Sequence, residues 1–357
     1  MKILFKNILV SFVSVCLVLF SIEAILHLFP VNEGLHTQPV NDYSPILHFK
    51  KDRTSTWSRF PDFSMTNTVH SNNYGFINNQ DYALNSRIPL IAVIGDSYVE
   101  AAMIPYKKTV HGILAQKLRD KWRVYSFGAS GAPLSQYLAF AKYARETFAP
   151  KKMVFLIITN DFDESSLEYK AAPGLHYFKK TPSDRLELTR IDYAPTILTR
   201  LFRNSKLMMY LFTNLNIQHN LSNLFNRSTT PVSVGQTSVV ANDKRVKLSQ
   251  KIIKEFFKLL PTYAQLEKKD ILFVVDGLRP HLYTKAGRLA AKGSYAFIMR
   301  NFFIETAKAY SYPILDLSEY FIEDYTKHHT RFEFEHDGHW NSYAHALVAE
   351  ILVQNYR

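Results

Sequence analysis

The chain has 357 residues, of which 47% are hydrophobic and 21% are charged, a composition typical of a folded protein and unlike that of a disordered one. Its formal net charge at pH 7 is +12, and its only cysteine is Cys16. One cysteine excludes an intrachain disulfide and any metal site built from several cysteines. It also leaves no credible cysteine nucleophile, because Cys16 lies inside the apolar N-terminus.

The first 30 residues predict a transmembrane anchor. Residues 7–29 form an apolar run that would be about 35 Å long as a helix, enough for a hydrocarbon core of about 30 Å. Lys2 and Lys6 precede the run, and positive charge stays on the cytoplasmic side. We therefore expect residues 1–30 to lie in the lipid bilayer. The rest of the chain should lie outside the cytoplasm, as in a bacterial inner-membrane protein with a periplasmic domain.

Two other interpretations of the N-terminus remain open. One is a cleaved signal peptide with its cleavage site after Ala24, although Ile22 fits the small-residue rule for such sites poorly. The other is a buried helix of a soluble protein. Glu23 interrupts the apolar run near its end, where a carboxylate can reach water or a partner helix.

Residues 31–87 are rich in polar and aromatic residues with little helical period, which predicts an extended lead-in that packs on the main domain. From residue 88 onwards, apolar runs of strand length alternate with segments of helical periodicity. The five predicted strands are residues 90–95, 123–127, 153–159, 271–276 and 313–317. The predicted helices are residues 110–118, 133–147, 247–268, 290–309 and 341–354.

This alternation predicts a three-layer α/β/α domain over residues 88–357, with a five-stranded parallel sheet. In such sheets, sites form at the carboxyl ends of the strands. Residues 165–250 form a long insertion between the third and fourth strands, which we expect over the rim of the site. Within it, residues 191–225 predict helix and residues 226–242 a mobile loop.

The insertion also has a surplus of Lys and Arg over Asp and Glu. Such a surplus can face anionic lipid, an acidic polysaccharide or nucleic acid, and a solvated basic surface is the simpler alternative. The sequence has no zinc-finger spacing and no RNA-binding aromatic motif. We therefore expect no nucleic-acid partner.

Four short motifs suggest chemistry, and the first follows the first predicted strand. Gly95-Asp96-Ser97 places a serine at the carboxyl end of a strand and at the start of the next helix. Backbone N–H groups there can stabilise a developing oxyanion. Taken alone, the tripeptide also fits an ordinary tight turn.

The second and third motifs follow the next two strands. Residues 128–131 read Gly-Ala-Ser-Gly, and Gly131, which lacks a side chain, can bring its backbone N–H close to a substrate oxygen. Residues 159–161 read Thr-Asn-Asp, and the Asn160 amide can donate a second hydrogen bond to the same oxygen. An ordinary strand-to-helix turn and a capping asparagine are the alternatives.

The fourth motif precedes the last helix, where residues 337–341 read Asp-Gly-His-Trp-Asn. His339 can take a proton from a serine while Asp337 fixes the tautomer of its ring. His336 and His345 lie nearby and leave a metal site as an alternative. No other part of the sequence supplies a clear ligand pattern, so we expect neither a metal nor a cofactor.

The order of these motifs resembles the four sequence blocks of the SGNH, or GDSL-like, hydrolase family, over about residues 88–357 with the insertion as a gap. The resemblance implies a flavodoxin-like fold, with Ser97 as nucleophile, His339 as base and Asp337 as its partner. It further implies an oxyanion hole made of the backbone N–H groups of Ser97 and Gly131 and the Asn160 amide.

The N-terminal part resembles the membrane-anchored branch of that family. Residues 73–76 read Asn-Tyr-Gly-Phe shortly before Gly95, and the apolar helix carries its acidic residue, Glu23, late. Both features are similar to those of the anchored members.

Four positions depart from the family pattern. Tyr98 replaces the leucine of the GDSL string, Ser126 stands where the second block often has Asn, and Ile158 where the third often has Gly. In the usual last block the aspartate precedes the histidine by three residues, whereas Asp337 precedes His339 by two. Some anchored members resemble this shorter form, yet Asp337 is the residue whose role the sequence supports least.

The resemblance implies acyl transfer through an acyl-enzyme. We expect an extracytoplasmic serine esterase that acts on O-acyl esters, O-acetyl first among them, of a cell-surface glycan or a similar substrate. One alternative is a glycan O-acyltransferase with the same site, which would need a membrane acyl-donor partner because acetyl-CoA is not expected outside the cytoplasm. The other is a non-catalytic membrane-anchored binding or assembly protein on the same fold.

Overall fold

A computed structural model describes residues 2–217, 241–279 and 281–356. The predicted fold is confirmed: a five-stranded parallel sheet carries helices on both faces, and one apolar helix precedes it. The strands are β1 (Arg53–Arg59), β2 (Met65–Ser71), β3 (Leu90–Gly95), β4 (Arg123–Gly128), β5 (Lys152–Ile157), β6 (His176–Lys180), β7 (Leu186–Arg190), β8 (Ile271–Val275) and β9 (Ile314–Asp316). The described helices are α1 (Lys2–Leu26), α2 (Ser97–Glu100), α3 (Val110–Lys117), α4 (Leu134–Phe148), α5 (Ile197–Asn204), α6 (Lys206–Met209), α7 (Asp243–Ala264), α8 (Lys285–Ala291), α9 (Tyr295–Ala309), α10 (Leu317–His328) and α11 (Ser342–Tyr356).

The main sheet has the strand order β4-β3-β5-β8-β9, with every neighbouring pair parallel. Counted along the chain, this is the order 2-1-3-4-5 of flavodoxin-like folds. Each of its strands lies within two residues of its predicted bounds. The carboxyl ends of β3, β4 and β5 therefore meet at one edge, as the sequence predicted.

Two hydrophobic cores hold the layers together, one on each face of the sheet. Successive residues of a strand point to opposite faces, and β3 illustrates this. Leu90, Ala92 and Ile94 pack in the core beneath α4, α7 and α9. Ile91 and Val93 pack in the core beneath α3 and α11. A strand buried on both faces needs a continuous apolar run, which is why the sequence revealed these strands.

The apolar stretch Ile3–Leu26 of α1 is long enough to cross a membrane by length and composition, and no residue of its most apolar window is buried. The last turn of α1 is fixed to the start of α6. The Glu23 carboxylate accepts hydrogen bonds from the backbone N–H groups of Lys206 and Leu207, both at 2.8 Å, and from the Ser205 hydroxyl at 2.8 Å. Glu23 therefore caps a helix of the insertion.

The lead-in contains an element that the sequence analysis did not predict. β1 and β2 pair antiparallel over their whole length, with Arg53 opposite Ser71 and Arg59 opposite Met65. Both strands are rich in Thr and Ser, so their period-two pattern of burial shows only weakly in hydrophobicity. The hairpin brings Trp57 and Arg59 towards the carboxyl edge of the sheet.

The predicted helix 191–225 is confirmed in part. Its described residues, 191–217, hold α5, α6 and a π-helical turn, Tyr210–Asn214, instead of one continuous helix. Before them, β6 and β7 form an antiparallel hairpin that the sequence analysis did not predict. Ser205 separates the two helices because its backbone is extended and its hydroxyl caps α6 by accepting from Met208 N at 3.2 Å. Residues 218–225 and the predicted mobile loop 226–242, except for its last two residues, lie outside the described residues.

The predicted helix 290–309 is divided into the end of α8 and the whole of α9. Gly293 and Ser294 lie at the break. Ser294 has an extended backbone and caps α9 by accepting a hydrogen bond from Phe297 N at 3.2 Å. A serine cap starts a new helix because it satisfies one of the free N–H groups of the first turn.

Candidate active site

Ser97 is the first residue of α2, immediately beyond the carboxyl end of β3. α2 packs closely over the ends of two strands, and glycines make the space for it. A Cβ atom on Gly95 would lie 2.5 Å from Val99 Cγ2, and one on Gly128 would lie 2.8 Å from Val99 Cβ. Gly95 and Gly128 are also paired in the sheet. Both glycines are thus required where the turn presents Ser97.

Three predicted residues, Ser97, His339 and Asp337, are in direct contact. His339 Nε2 lies 2.7 Å from Ser97 Oγ. On the other side of the ring, His339 Nδ1 contacts Asp337 Oδ1, which also accepts the His339 backbone N–H at 2.9 Å. The nearest other acceptor for the serine hydroxyl, Asp96 Oδ2, is farther away, at 3.4 Å. The hydroxyl of Ser97 is therefore directed at the imidazole.

The charge of Asp337 fixes the tautomer of His339. Burial raises the pKa of the Asp337 carboxyl, but the hydrogen bonds and charges of His339 and Arg59 lower it more, to about 2. The carboxylate is thus ionised at neutral pH and accepts hydrogen bonds only. Nδ1, which faces this carboxylate, must therefore carry a proton, and Nε2 is the ring nitrogen that faces Ser97.

Arg59 is a member of this site that the sequence analysis missed. It lies at the end of β1, and its Nη1 contacts Asp337 Oδ2, the oxygen that His339 does not use. The guanidinium is half-exposed, whereas the side chain of Asp337 is 4% exposed. The lead-in hairpin therefore completes the hydrogen bonding of a buried carboxylate in the main domain.

Tyr98 and Arg279 hold the loop that carries His339. The Tyr98 hydroxyl donates to the carbonyl oxygen of Gly338 at 2.9 Å, and Arg279 Nη1 donates to the same oxygen at 3.1 Å. Arg279 Nη2 also donates to the Tyr98 hydroxyl at 3.0 Å. The tyrosine that replaces the family's leucine thus connects the turn of Ser97 to the loop of His339.

Asp276, at the end of β8, anchors the same loop from below. It accepts two hydrogen bonds from Arg279, at 3.2 and 2.6 Å. It also accepts the indole N–H of Trp340 at 2.9 Å. Arg279 and Asp276 form a buried ion pair. The sequence did not reveal the role of Arg279, because its contact with Gly338 spans 59 residues and leaves no local pattern.

Gly131 lies in a loop that two charged residues hold. Its backbone has φ +74°, which a glycine adopts without strain, and its carbonyl oxygen accepts a hydrogen bond from Lys170 Nζ at 2.9 Å. On the other side, the Glu100 carboxylate accepts from the backbone N–H and the hydroxyl of Ser130, both at 2.7 Å. Burial raises the pKa of Glu100, with the Ser130 hydrogen bonds opposing it.

Asn160 lies in the turn Thr159–Asp161 after β5 and is 7% exposed. Burial raises the pKa of the nearby Glu164 carboxyl, and the Asn160 side chain lowers it; Glu164 pairs with Lys170. Gly131 and Asn160 thus share the Glu164–Lys170 pair and follow strands adjacent to β3. The role of Gly131 and Asn160 in an oxyanion hole stays a prediction.

A cavity of about 450 Å³ opens beside His339 and Asp337. Its walls combine the lead-in, the main domain and the insertion. The lining includes aromatic side chains and several amides and hydroxyls, so the cavity is mixed in character rather than apolar. The lining residues are Asn32, Trp57, Arg59, Phe60, Glu100, Ala102, Met103, Ser130, Phe212, Thr213, Asn214, Asn216, His336, Asp337 and His339.

The two histidines considered as metal ligands lie in different environments. His336 faces the cavity, with its ring 6.2 Å from that of Phe60. His345 is buried, and its Nδ1 accepts the backbone N–H of Val110 at 3.2 Å. Among the described residues, no group of three His, Cys, Asp or Glu side chains is placed to hold a metal ion.

Comparisons with known proteins find solved hydrolase structures that are similar to this chain at low sequence identity. No protein-family model and no curated protein matches it. A lipase/acylhydrolase from Enterococcus faecalis is 11% identical, with 75% of this chain and 95% of that chain covered and a TM-score of 0.38. An acetyl xylan esterase is 12% identical, with 75% and 100% covered and a TM-score of 0.38. A carbohydrate acetylesterase from Sinorhizobium meliloti is 9% identical, with 75% and 98% covered and a TM-score of 0.37. The case for a reaction therefore rests on the side-chain geometry.

Proposed function

We propose that this chain is a membrane-anchored, extracytoplasmic serine esterase that removes O-acyl groups, O-acetyl first among them, from a cell-surface glycan. The observation that carries the proposal is the line of contacts from Asp337 through His339 to Ser97, with Nε2 at 2.7 Å from the serine oxygen. An ionised carboxylate, an imidazole and a serine in this order are the arrangement that activates a hydroxyl.

The reaction would proceed in two steps. Ser97 Oγ attacks the ester carbonyl while His339 Nε2 takes its proton, and the imidazolium is stabilised by Asp337. His339 then returns the proton to the leaving alcohol, and an acyl-enzyme remains on Ser97. Water, deprotonated by His339, attacks this ester and releases the acid. The N–H groups of Ser97 and Gly131 and the amide of Asn160 would stabilise the oxyanion in both steps.

The cavity favours a carbohydrate ester over a long-chain lipid ester. Trp57, Phe60 and Phe212 line it together with Asn32 and Asn214. Flat aromatic faces can stack on the apolar faces of sugar rings, and amides bind hydroxyl groups, whereas an acyl chain needs a uniformly apolar wall. The cavity is about 450 Å³, so one or two sugar units with a small acyl group fit its size better than a polymer.

Covalent labelling by a fluorophosphonate tests the reaction. We expect the full chain in detergent to be labelled on Ser97 and Ser97→Ala to lose the label. Ser130→Ala is the matched control, because Ser130 lines the same cavity but donates its hydroxyl to Glu100, and it should be labelled like the unchanged protein. A folded protein that takes no label would favour the non-catalytic binding protein.

Product analysis separates hydrolysis from transfer. The unlabelled protein, incubated with acetylated oligosaccharides, should release acetate at the same rate with and without a second, unacetylated sugar. Acetyl groups that appear on the added sugar would identify an O-acyltransferase instead. In both cases Ser97→Ala should be inactive, since the two reactions share the acyl-enzyme.

The location is tested by a topology reporter. The proposal rests on the apolar α1 and on the lysines at its N-terminal side. Alkaline phosphatase fused to the C-terminus should be active, because this enzyme folds only outside the cytoplasm. If the phosphatase fusion is inactive, and a fusion to a reporter that fluoresces only in the cytoplasm is fluorescent, the orientation is opposite to the proposed one.

A further inference from the structure

Helix α5 exposes apolar side chains that nothing in the described part of the chain covers. Ile197 and Leu198 are 76% exposed, and Leu201 is 61% exposed. These positions, i, i+1 and i+4, lie on one side of a helix. The other side packs inwards: Phe202 joins a small hydrophobic cluster, and Arg203 donates to the Tyr193 hydroxyl at 3.1 Å. α5 is therefore amphipathic, with its apolar side facing outwards.

The position of α5 relative to α1 identifies what this side faces. α5 ends at Asn204, and the next residue, Ser205, donates its hydroxyl to Glu23 in the last turn of α1. Leu26, at the end of α1, packs in the same cluster as Met209 and Phe202. Both helices thus share one contact region, and α5 lies beside the point where α1 meets the rest of the chain.

The length of α1 places that point at a membrane surface. A hydrocarbon core of about 30 Å is crossed by about 20 helical residues, so a span that begins after Lys6 leaves the core in the last turn of α1, which ends at Leu26. Glu23 lies in this turn, next to the headgroup region, where it binds polar groups of Ser205 and Lys206. α5 is eight residues long, about 12 Å, so all of it lies close to this level.

The charge of α5 agrees with a lipid surface. Its sequence contains Arg200 and Arg203 and no acidic residue, and Arg200 is exposed. Short amphipathic helices with basic residues bind at the boundary of headgroups and acyl chains, where apolar side chains leave water and cations meet anionic lipids. A charged or polar partner protein would not need the aliphatic side of such a helix.

We propose that α5 is a second membrane contact, lying in the bilayer surface with Ile197, Leu198 and Leu201 inserted at the level of the headgroups. This goes beyond the proposed reaction and rests on α1 as a membrane span. The π-helical turn that follows α6 supplies Phe212, Thr213 and Asn214 to the cavity. Two contacts instead of one would therefore fix the orientation of the catalytic cavity towards the membrane.

Site-directed fluorescence in lipid vesicles tests this with the full chain. Cys16 is the only cysteine, so an environment-sensitive nitrobenzoxadiazole label on Cys16 first reports whether α1 is inserted. In a Cys16→Ala background, the same label is placed at Leu198→Cys. The control is Leu84→Cys, because Leu84 is also an exposed leucine (53%). It lies at the edge of the sheet opposite the site, since the carbonyl oxygen of its neighbour Ala83 accepts a hydrogen bond from Arg123 at the amino end of β4.

We expect the Leu198 label to be quenched by spin-labelled lipids that carry the spin near the headgroup, and to be protected from aqueous iodide. The Leu84 label should show the reverse. The difference should grow when the vesicles contain anionic lipid. Circular dichroism in detergent checks that both variants are folded. We expect them to fold because Leu198 and Leu84 are exposed side chains.

Three results would overturn the proposal. If the Cys16 label lies in the bilayer but the Leu198 label behaves like the Leu84 label, α1 spans the membrane and α5 does not touch it. If the Leu198 label is protected from iodide in detergent and insensitive to spin-labelled lipid, a protein surface covers it. If the Cys16 label is exposed to iodide in vesicles, α1 is not a span and the argument for α5 falls with it, whereas the labelling of Ser97 would be unaffected.

Discussion

The Asp337 carboxylate binds His339 twice, because its Oδ1 accepts both the ring Nδ1 and the backbone N–H of a residue only two positions further on. A carboxylate that accepts from the N–H two residues ahead closes a tight turn. That turn brings the imidazole of His339 over the same oxygen. The spacing of two residues, which departs from the family pattern, thus gives the aspartate–histidine contact that a catalytic dyad needs.

The first prediction concerns Asp337→Asn. The variant keeps the shape of the side chain but removes the charge that fixes the tautomer of His339 and stabilises its imidazolium. We expect kcat for 4-nitrophenyl acetate to fall by up to about 10⁴, the loss for the same substitution in a serine protease triad, with KM little changed. Asp62→Asn is the matched control, since Asp62 also accepts the backbone N–H two residues ahead, that of Ser64, but its turn carries a serine in place of the histidine. A loss below tenfold would assign the orienting role to another group.

The second prediction concerns Asn160→Ala. If the Asn160 amide donates a hydrogen bond to the oxyanion and not to the bound substrate, kcat should fall by about 10²–10³ with KM unchanged. This is the pattern of an interaction made only in the transition state. Asn160 is also buried and lowers the pKa of the Glu164 carboxyl, which burial raises, so a purely structural role is the competing explanation. That role predicts a lower unfolding temperature with kcat preserved, and this result would remove Asn160 from the oxyanion hole.

The third prediction concerns Tyr98→Phe, which deletes the hydroxyl between Arg279 and the carbonyl of Gly338. We expect about 1–2 kcal/mol of lost stability, as for other buried hydrogen bonds, and a fall in kcat of about tenfold as the loop of His339 loosens. Tyr82→Phe is the control, because its buried hydroxyl donates to Ser126 O at 2.7 Å within β4. It should lose similar stability and keep its kcat. Equal kcat values for both variants would exclude a positioning role for Tyr98.

The sequence predicted the residues that lie at the ends of buried strands. Ser97 follows a six-residue apolar strand that is buried throughout, and His339 precedes an apolar helix, so local patterns marked both. The parallel sheet placed the Ser97 motif at its carboxyl edge, and the resemblance of the motifs to the SGNH sequence blocks implied His339 as its base. This is why Ser97 and His339, 242 positions apart, could be expected in contact before the structure was known.

The residues that support the site could not be predicted in the same way. Arg59 reaches Asp337 across 278 positions, and Arg279 reaches Tyr98 across 181. Each lies in a segment without strong periodicity, and a single arginine there is indistinguishable from a surface charge. The β1–β2 hairpin was missed for a related reason, since its Thr- and Ser-rich strands gain their burial from packing rather than from their own hydrophobicity.

The last prediction concerns the acid stability of the protein. The pKa of Asp337 is lowered in the folded protein to about 2 from its ordinary value of 3.8. Its contribution to stability is therefore present in full above about pH 4 and is lost as the pH falls towards 2, because the unfolded chain takes up the proton first. At about 1.4 kcal/mol per pKa unit, the shift corresponds to about 2 kcal/mol.

Unfolding followed by tryptophan fluorescence, with the full chain in detergent between pH 5 and pH 2, measures this term. The unchanged protein should lose about 2 kcal/mol more unfolding free energy over this range than Asp337→Asn. Arg59→Met should lie between them, since Arg59 lowers the pKa of Asp337 less than His339 does and is half-exposed. Parallel curves for all three proteins would show that the Asp337 carboxylate gains nothing from its partners on folding.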